Sequence, residues 1–366
     1  MSNTLGKMYR VTSFGESHGT CIGVVVDGCP AGHRIDLEGI QAELDRRRPG
    51  QSSVTTARGE KDRVEVLSGV LDGVTTGAPI CMVVWNRDVD SSMYEELRWT
   101  PRPGHADYTV EKRYGGHQDY RGGGRFSGRS TASLVMAGAL AKQILASVGV
   151  EVLAYTQQIG ETSSPELTIE QIRMRAESNP VRCPDPETAE RMIQAIEWVK
   201  RDGDSVGGKV KCIALNVPPG VGQPVFDTLE GDLSKALFSI PAVKAVEFGA
   251  GVRHASMRGS ESNDPFKVEE GRVVTASNNT GGIQGGISNG MPITCSVTFK
   301  PTPSISSPQR SVNMRTMEET VIEVKGRHDP CIVPRAVPVV ENVVAVVLLD
   351  HLLRSGHVKH VVGEAK

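Results

Sequence analysis

Three histidines of this chain lie in glycine-bearing turns: Gly15-Glu16-Ser17-His18-Gly19, Arg102-Pro103-Gly104-His105-Ala106-Asp107 and Gly326-Arg327-His328-Asp329-Pro330. An imidazole next to a phosphate can serve as a general acid, because a neighbouring anion raises its pKa. One such histidine alone reads as a surface residue. Three, accompanied by Arg102, Arg125, Arg129 and Arg327, weigh towards a site. A second concentration of chemistry is the run Asp119-Tyr120-Arg121-Gly122-Gly123-Gly124-Arg125-Phe126-Ser127-Gly128-Arg129-Ser130-Thr131, which leads into an apolar helix over 133–145. Its glycines free the backbone N–H groups to turn inward, and Ser127, Ser130 and Thr131 are N-cap types. A helix N-terminus fed by a glycine loop attracts anions, and arginines at every fourth position match phosphate and carboxylate bidentately. This stretch by itself fits a pocket for a strongly anionic ligand and a solvated surface turn equally well.

Any such site must be local. The 41 basic and 43 acidic side chains leave a net charge of -2, so no global field calls for nucleic acid. Aromatics at 4% also argue against a single-strand stacking platform. With 366 residues the chain can bury a large core unaided. Seven cysteines, odd in number and without a CxxC pair, read as reduced thiols of a cytoplasmic protein, with no disulfide and no metal site expected. The amino terminus has no apolar leader segment, and the run 337–353 is interrupted by Glu341, Asn342 and Asp350, too polar for a membrane span. His351, His357 and His360 read as a solvated tail, and His33, His117 and His254 have no evident partner.

The run Gly203-Asp204-Ser205-Val206-Gly207-Gly208-Lys209-Val210 approaches a phosphate-binding P-loop but puts Val210 where Ser or Thr would hold magnesium. It also follows a helix and opens a strand, the reverse of a P-loop. No GxGxxG follows a strand, so a dinucleotide fold is unsupported. A P-loop-like NTPase that depends on Lys209 and a non-catalytic anion-binding module are the competing classes.

The elements that must position these residues recur. Strands over 9–13 and 20–26 flank the Ser17-His18 turn, a helix runs over 36–48, strands follow at 63–69 and 79–85, and a glycine, proline and arginine loop spans 98–124. Past Val150 the pattern restarts: 208–220 parallels 19–32, Leu229-Glu230-Gly231 parallels Leu37-Glu38-Gly39, 246–249 answers 64–69, 290–294 answers 77–81, and Gly326-Arg327 precedes an apolar helix as Gly124-Arg125 does. Four elements in the same order predict an internal duplication rather than a solenoid. The expectation is one domain over 1–366, with pseudo-repeat halves at about 1–150 and 205–366 and a helical insertion at about 165–202.

With the GESHG turn, RRRPG at Arg46 to Gly50, RPGHAD at Arg102 to Asp107, YRGGGR at Tyr120 to Arg125, GGIxGGIS at Gly281 to Ser288, KPTPS at Lys300 to Ser304 and GRHDPC at Gly326 to Cys331, the chain resembles the chorismate synthase family along nearly its whole length. The resemblance implies an α+β fold, a β-α-β sandwich with four-stranded sheets among helices, usually assembled as a homotetramer. It implies anti-1,4-elimination of phosphate from 5-enolpyruvylshikimate 3-phosphate to give chorismate, the last step of the shikimate pathway that feeds aromatic amino acid synthesis. The cofactor implied is reduced FMN, with no net redox change. No flavin-reductase segment is evident, so a separate NADPH-dependent reductase is the expected source.

Carried over residue by residue, the resemblance makes His18 the proton donor to the departing phosphate and His105 the group that stabilises the reduced flavin. Ser17 and Asp329 become a proton relay. Arg47, Arg48, Arg102 and Arg129 match substrate-binding positions. Arg125, Phe126, Ser127, Pro241, Ala242, Gly285, Lys300, Pro301, Thr302, Pro303, Ser304 and Arg327 match flavin-binding ones. The chain departs from the family where many members carry an arginine soon after RRRPG and it has Ser53-Val54. Phe126, Gly128 and Ser130 also replace commoner residues.

Overall fold

A computed structural model describes residues 3–48, 50, 62–87, 94–324 and 328–362. Two antiparallel sheets sandwich a layer of helices. The first contains Thr4–Leu5 (β1), Arg10–Gly15 (β2), Cys21–Asp27 (β3), Val64–Val66 (β4) and Ile80–Trp85 (β5), in the order β1-β2-β3-β5-β4. The second contains Glu151–Ile159 (β6), Thr162–Ser163 (β7), Gly208–Leu215 (β8), Val243–Phe248 (β9) and Ile293–Phe299 (β10), in the order β9-β10-β8-β6-β7. Each sheet thus has five strands where four were expected, the extra one being a two-residue strand at an edge. Setting those aside, both sheets place their strands first, second, fourth, third in chain order. β6 belongs to the second sheet although it precedes the expected start of the second half at 205.

The helix between second and third strands is Leu37–Arg47 (α1) in the first case and Leu229–Leu237 in the second. Both begin alike: Asp36 accepts from Gly39 N at 2.9 Å and Thr228 from Gly231 N at 3.1 Å, so a side-chain oxygen satisfies an otherwise orphaned donor of the first turn. The fourth strand leads in each case to a central helix, Thr131–Ser147 or Val333–Arg354. In chain order the α-helices longer than four residues are α1, Asp107–Tyr114 (α2), Thr131–Ser147 (α3), Ile169–Arg175 (α4), Pro186–Arg201 (α5), Leu229–Leu237 (α6) and Val333–Arg354 (α7).

α3 packs on the first sheet, α7 on the second, and the two on each other. Their approach is close enough that a Cβ on Gly138 would lie 2.3 Å from Asn342 Cβ and from Asn342 O. α7 is long and apolar enough to cross a membrane, but its apolar window is entirely buried here as the central helix of the core. His351, read as part of a solvated tail, is 0% exposed on α7 and lies 2.9 Å from Asp232 of α6. The helix continues three residues past His351 to Arg354, which keeps that imidazole inside the fold.

Strand alternation explains why the second sheet is covered on both faces. Val152, Ala154, Val210, Cys212 and Ala214 join the main core, whereas Leu153, Tyr155 and Ile213 pack with Ile172 and Ala176 of the α4 region. The insertion therefore seals the outer face. All seven cysteines are free thiols.

Candidate active site

The Ser17-His18 turn joins β2 to β3, and both residues are buried. Over it lies the glycine loop, where Gly122, Gly123 and Gly124 all have positive φ, a region that only glycine enters without strain. Ser17 N donates to Gly124 O at 3.1 Å. A Cβ on Gly122 would sit 2.3 Å from His18 Cδ2 and 2.9 Å from Ser17 Oγ, and one on Gly123 would sit 3.2 Å from His105 Cε1. The loop backbone therefore touches both histidine turns at once. Tyr94 meets the His18 ring edge-on with centroids 5.1 Å apart.

The expected N-caps act differently from the simple reading. Ser127 caps a short 3-10 turn, accepting from Arg129 N at 3.3 Å. Ser130 Oγ and Thr131 Oγ1 instead donate back to Ser127 O and Gly128 O, so neither caps α3. The three evenly spaced arginines also separate. Arg121 pairs with Asp119, Arg125 donates to Ser13 O at 2.7 Å, and Arg129 turns into the protein.

Arg129 Nη1 reaches Asp62 Oδ1 at 2.7 Å, Arg47 Nη2 reaches Asp62 Oδ2 at 3.2 Å, and the Asp62 side chain is 0% exposed. Burial alone would raise the Asp62 carboxyl, but Arg47 and then Arg129 outweigh it and hold it below its ordinary range. Arg129 Nε also donates to Asn86 Oδ1 at 2.6 Å, while Asn86 Nδ2 donates to Glu16 O and Gly19 O, bracing the histidine turn. On the far side, Arg335 Nε donates to Arg47 O at 3.0 Å and its Nη1 pairs with Asp329, which is buried.

The Arg102 turn closes the circuit. Asp107 Oδ2 accepts from Arg102 N at 3.0 Å and from Arg102 Nε at 2.8 Å. Asp107 Oδ1 accepts from Arg102 Nη2 at 2.8 Å and lies 2.6 Å from His105 Nδ1. Arg102 Nη1 donates to Ser304 Oγ at 3.2 Å, and Lys300 Nζ donates to Gly104 O. Lys300 N donates to Ala242 O at 3.0 Å. Burial, then neighbouring Lys244, lowers the Lys300 ammonium below its usual value. Burial also lowers His328, with the Arg102 charge adding to it.

The near P-loop at 203–210 turns out to brace these loops. Ser205 Oγ donates to Thr302 O at 2.7 Å, Val206 N donates to Pro330 O at 2.9 Å, and Gly203 O accepts from Ser306 N and Ser307 N.

Ser17, His18, Arg102, His105, Arg47, Arg129, Asp329, Ala242 and Lys300 to Ser304 thus belong to one continuous set of contacts. A hollow beside it is lined by Tyr94, Arg98, Arg102, His105, Gly123 and Phe126. Phe126 is exposed beside Tyr114, and Arg48 pairs with Asp45 of its own helix. Gly285 lies in the small hairpin Ile283–Ser288, and Pro241 lies in the turn before β9. Arg327 and the Ser53-Val54 departure lie outside the described residues. Sequence reasoning did not single out Asp62, Asn86, Asp107 or Arg335. Asp107 stood in view within RPGHAD, but the others carry no local signal.

The family model for chorismate synthase matches residues 9–353. A chorismate synthase of Dehalococcoides mccartyi is 53% identical over 99% of this chain and 100% of its own length. One from Methanopyrus kandleri is 56% identical over 97% of this chain and 94% of its own. A crystal structure of chorismate synthase superimposes with a TM-score of 0.76 at 32% identity, covering 96% of this chain and 93% of the other.

Proposed function

The chain belongs to the chorismate synthase family, and from that premise we propose how its own residues carry out the family's reaction, elimination of phosphate from 5-enolpyruvylshikimate 3-phosphate to give chorismate. The observation that carries the reading is the chain of contacts from the Ser17-His18 turn through Asn86, Arg129, Asp62, Arg47 and Arg335 to Asp329, on through Pro330, Val206, Ser205 and the 302–304 loop to the Arg102-His105 turn, and back across the glycine loop.

His18 donates the proton that the departing phosphate needs, and the Gly122 backbone fixes its ring. Arg102, Arg129, Arg47 and Arg48 hold the phosphate and the two carboxylates. The carboxylates behind Arg102, Arg129 and Arg47 hold those guanidiniums in a fixed orientation before the ligand arrives. Ser17 and Asp329 would relay away the proton given up by the bound cofactor after the substrate's ring hydrogen has left, and Arg335 orients Asp329. Water that a bound ligand displaces from the hollow would strengthen each of these charge interactions.

The residues fit reduced FMN. The buried His328 Nε2 meets no hydrogen-bond partner among the described residues, and Arg98 and Arg102 line the hollow as cations for the cofactor's phosphate. Arg125 to Ser127, Pro241-Ala242, Gly285, Lys300 to Ser304, Arg327 and His105 would hold the cofactor. When bound, reduced flavin supplies an electron-rich ring that assists loss of phosphate and takes up the hydrogen without net redox change.

We further read the two sheets as halves of a duplication, supported by their shared strand order and matched caps, with the second half beginning at β6. We place the protein in the cytoplasm as a homotetramer. Its seven free thiols and the exposed Phe266, Val268 and Val273 on one hairpin face support this. A separate reductase supplies the flavin in this scheme.

The test is anaerobic phosphate release and chorismate formation with fully reduced FMN. Turnover is expected, with none on oxidised FMN alone. Absence of product under full reduction overturns the reading. Adding NADPH to oxidised FMN tests the separate-reductase assignment, which predicts no product without a second protein.

A further inference from the structure

We infer that Asp107 is a positioning residue that sets one tautomer of His105 and locks Arg102 against it, so that the imidazole and the anion clamp are aligned as a unit. The inference rests on the functional reading above for its kinetic consequence, but not for its structural content.

One carboxylate makes four contacts within six residues of chain, three to Arg102 and one to His105 Nδ1. An ionised carboxylate only accepts, so the 2.6 Å contact requires the proton on Nδ1, and in the neutral ring this leaves Nε2 with its lone pair. Burial alone would raise the Asp107 carboxyl, but its bonds to Arg102 and His105 pull it well below its ordinary range. It is therefore an acceptor at any working pH.

Arg102 Nη2 does not compete for the imidazole. It lies 3.0 Å from Nδ1 and 3.3 Å from Nε2, and a point so nearly equidistant within the ring plane would overlap Cε1. The guanidinium nitrogen therefore sits against the ring face. The ring is thus held on one edge by Asp107 and on one face by Arg102, with Gly123 close to the Cε1–Nε2 side. Arg102 Nη1 extends the lock to Ser304. The His105 amide donates to Arg102 O at 3.1 Å, so the backbone turn and the side-chain clamp reinforce each other.

The deciding measurement uses the ligand-free chain. Nitrogen-15 shifts of labelled histidine at pH about 9, above the ordinary imidazole range, report the tautomer directly. The wild-type His105 signal, assigned by its loss in His105→Gln, is expected as Nδ1–H. Asp107→Ala is expected to release it towards a mixture. Wild-type protein with the proton on Nε2 overturns the inference, and this arm needs no variant to fold. Asp107→Asn, which keeps shape but not charge, is expected to lower kcat about 10²-fold with a smaller change in KM, and Asp107→Glu to recover part of the loss. Unchanged kcat in Asp107→Asn with intact melting also overturns it. Wild-type protein that shows the Nδ1–H signal but no turnover would instead count against the reaction assigned to the site.

Discussion

Gly122→Ala tests whether the glycine loop is the lid of the histidine turn. At this position φ is +60°, and an alanine there pays about 1–2 kcal/mol for the left-handed backbone. The larger effect is steric. The new Cβ would lie 2.3 Å from His18 Cδ2 and 2.5 Å from His18 Nε2, whereas carbon atoms rest at about 3.5–4.0 Å. Something must retreat by more than 1 Å, and His18 is buried with Tyr94 across its edge. Displacement of a catalytic group on that scale costs about 10²-fold in rate. The expected result is a kcat reduced at least that much, in anaerobic assays with reduced FMN, while the melting temperature falls only modestly. Gly128→Ala is the control, since its Cβ would meet nothing within 4 Å and its φ is ordinary. Near-full turnover in Gly122→Ala would refute the role given to His18 and to the loop above it.

Gly138→Val should disrupt the α3–α7 crossing, because its Cβ already falls on Asn342; destabilisation of at least about 1–3 kcal/mol by denaturant melt is expected, with FMN-site residues untouched. Asp62→Asn leaves two buried guanidiniums without their shared counter-charge and should cost about 3–5 kcal/mol, part of which a second change, Arg47→Met, restores in a double-mutant cycle. Stability should fall on acidification in two stages followed by urea midpoints. Burial depresses His328 and His351, so protons taken up by the unfolded chain below about pH 6.5 already oppose folding. Asp62, Asp107 and Glu43 are depressed against the effect of burial by their cationic neighbours. Their contribution is complete above about pH 4 and disappears as pH drops through their lowered values. A flat profile from pH 7 to 3 would contradict both sets of groups.

Local signals made much of the fold legible. Asp36 and Thr228 each face a glycine three residues on, and both cap helices as their types predict. The glycines of the 122–124 loop and the alternating apolar residues of β3 and β10 lie where their patterns direct. What stayed hidden was non-local or masked by composition. The helix α2 lies inside a glycine, proline and arginine stretch that reads as loop, and β6 has only the Gly160-Glu161 turn to the two-residue β7 to mark it before the insertion. Asp62 acts on arginines 15 and 67 positions away, and Arg335 on a carbonyl 288 positions away. No spacing rule reaches that far, so the motifs exposed the groups assigned to the ligands and concealed those that hold them in place.

That division has an electrostatic cause. A chain of net charge -2 cannot bring Arg47, Arg102, Arg129 and Arg335 into one buried region without compensating charge, because uncompensated guanidiniums lose hydration and repel one another. Asp62 serves Arg47 and Arg129, Asp107 serves Arg102, and Asp329 serves Arg335. Each carboxylate therefore does two things: it makes the folded state tolerable without ligand, and it fixes the plane of a guanidinium for an incoming anion. On the proposed function, affinity for a multiply charged substrate comes from oriented donors rather than from net positive charge.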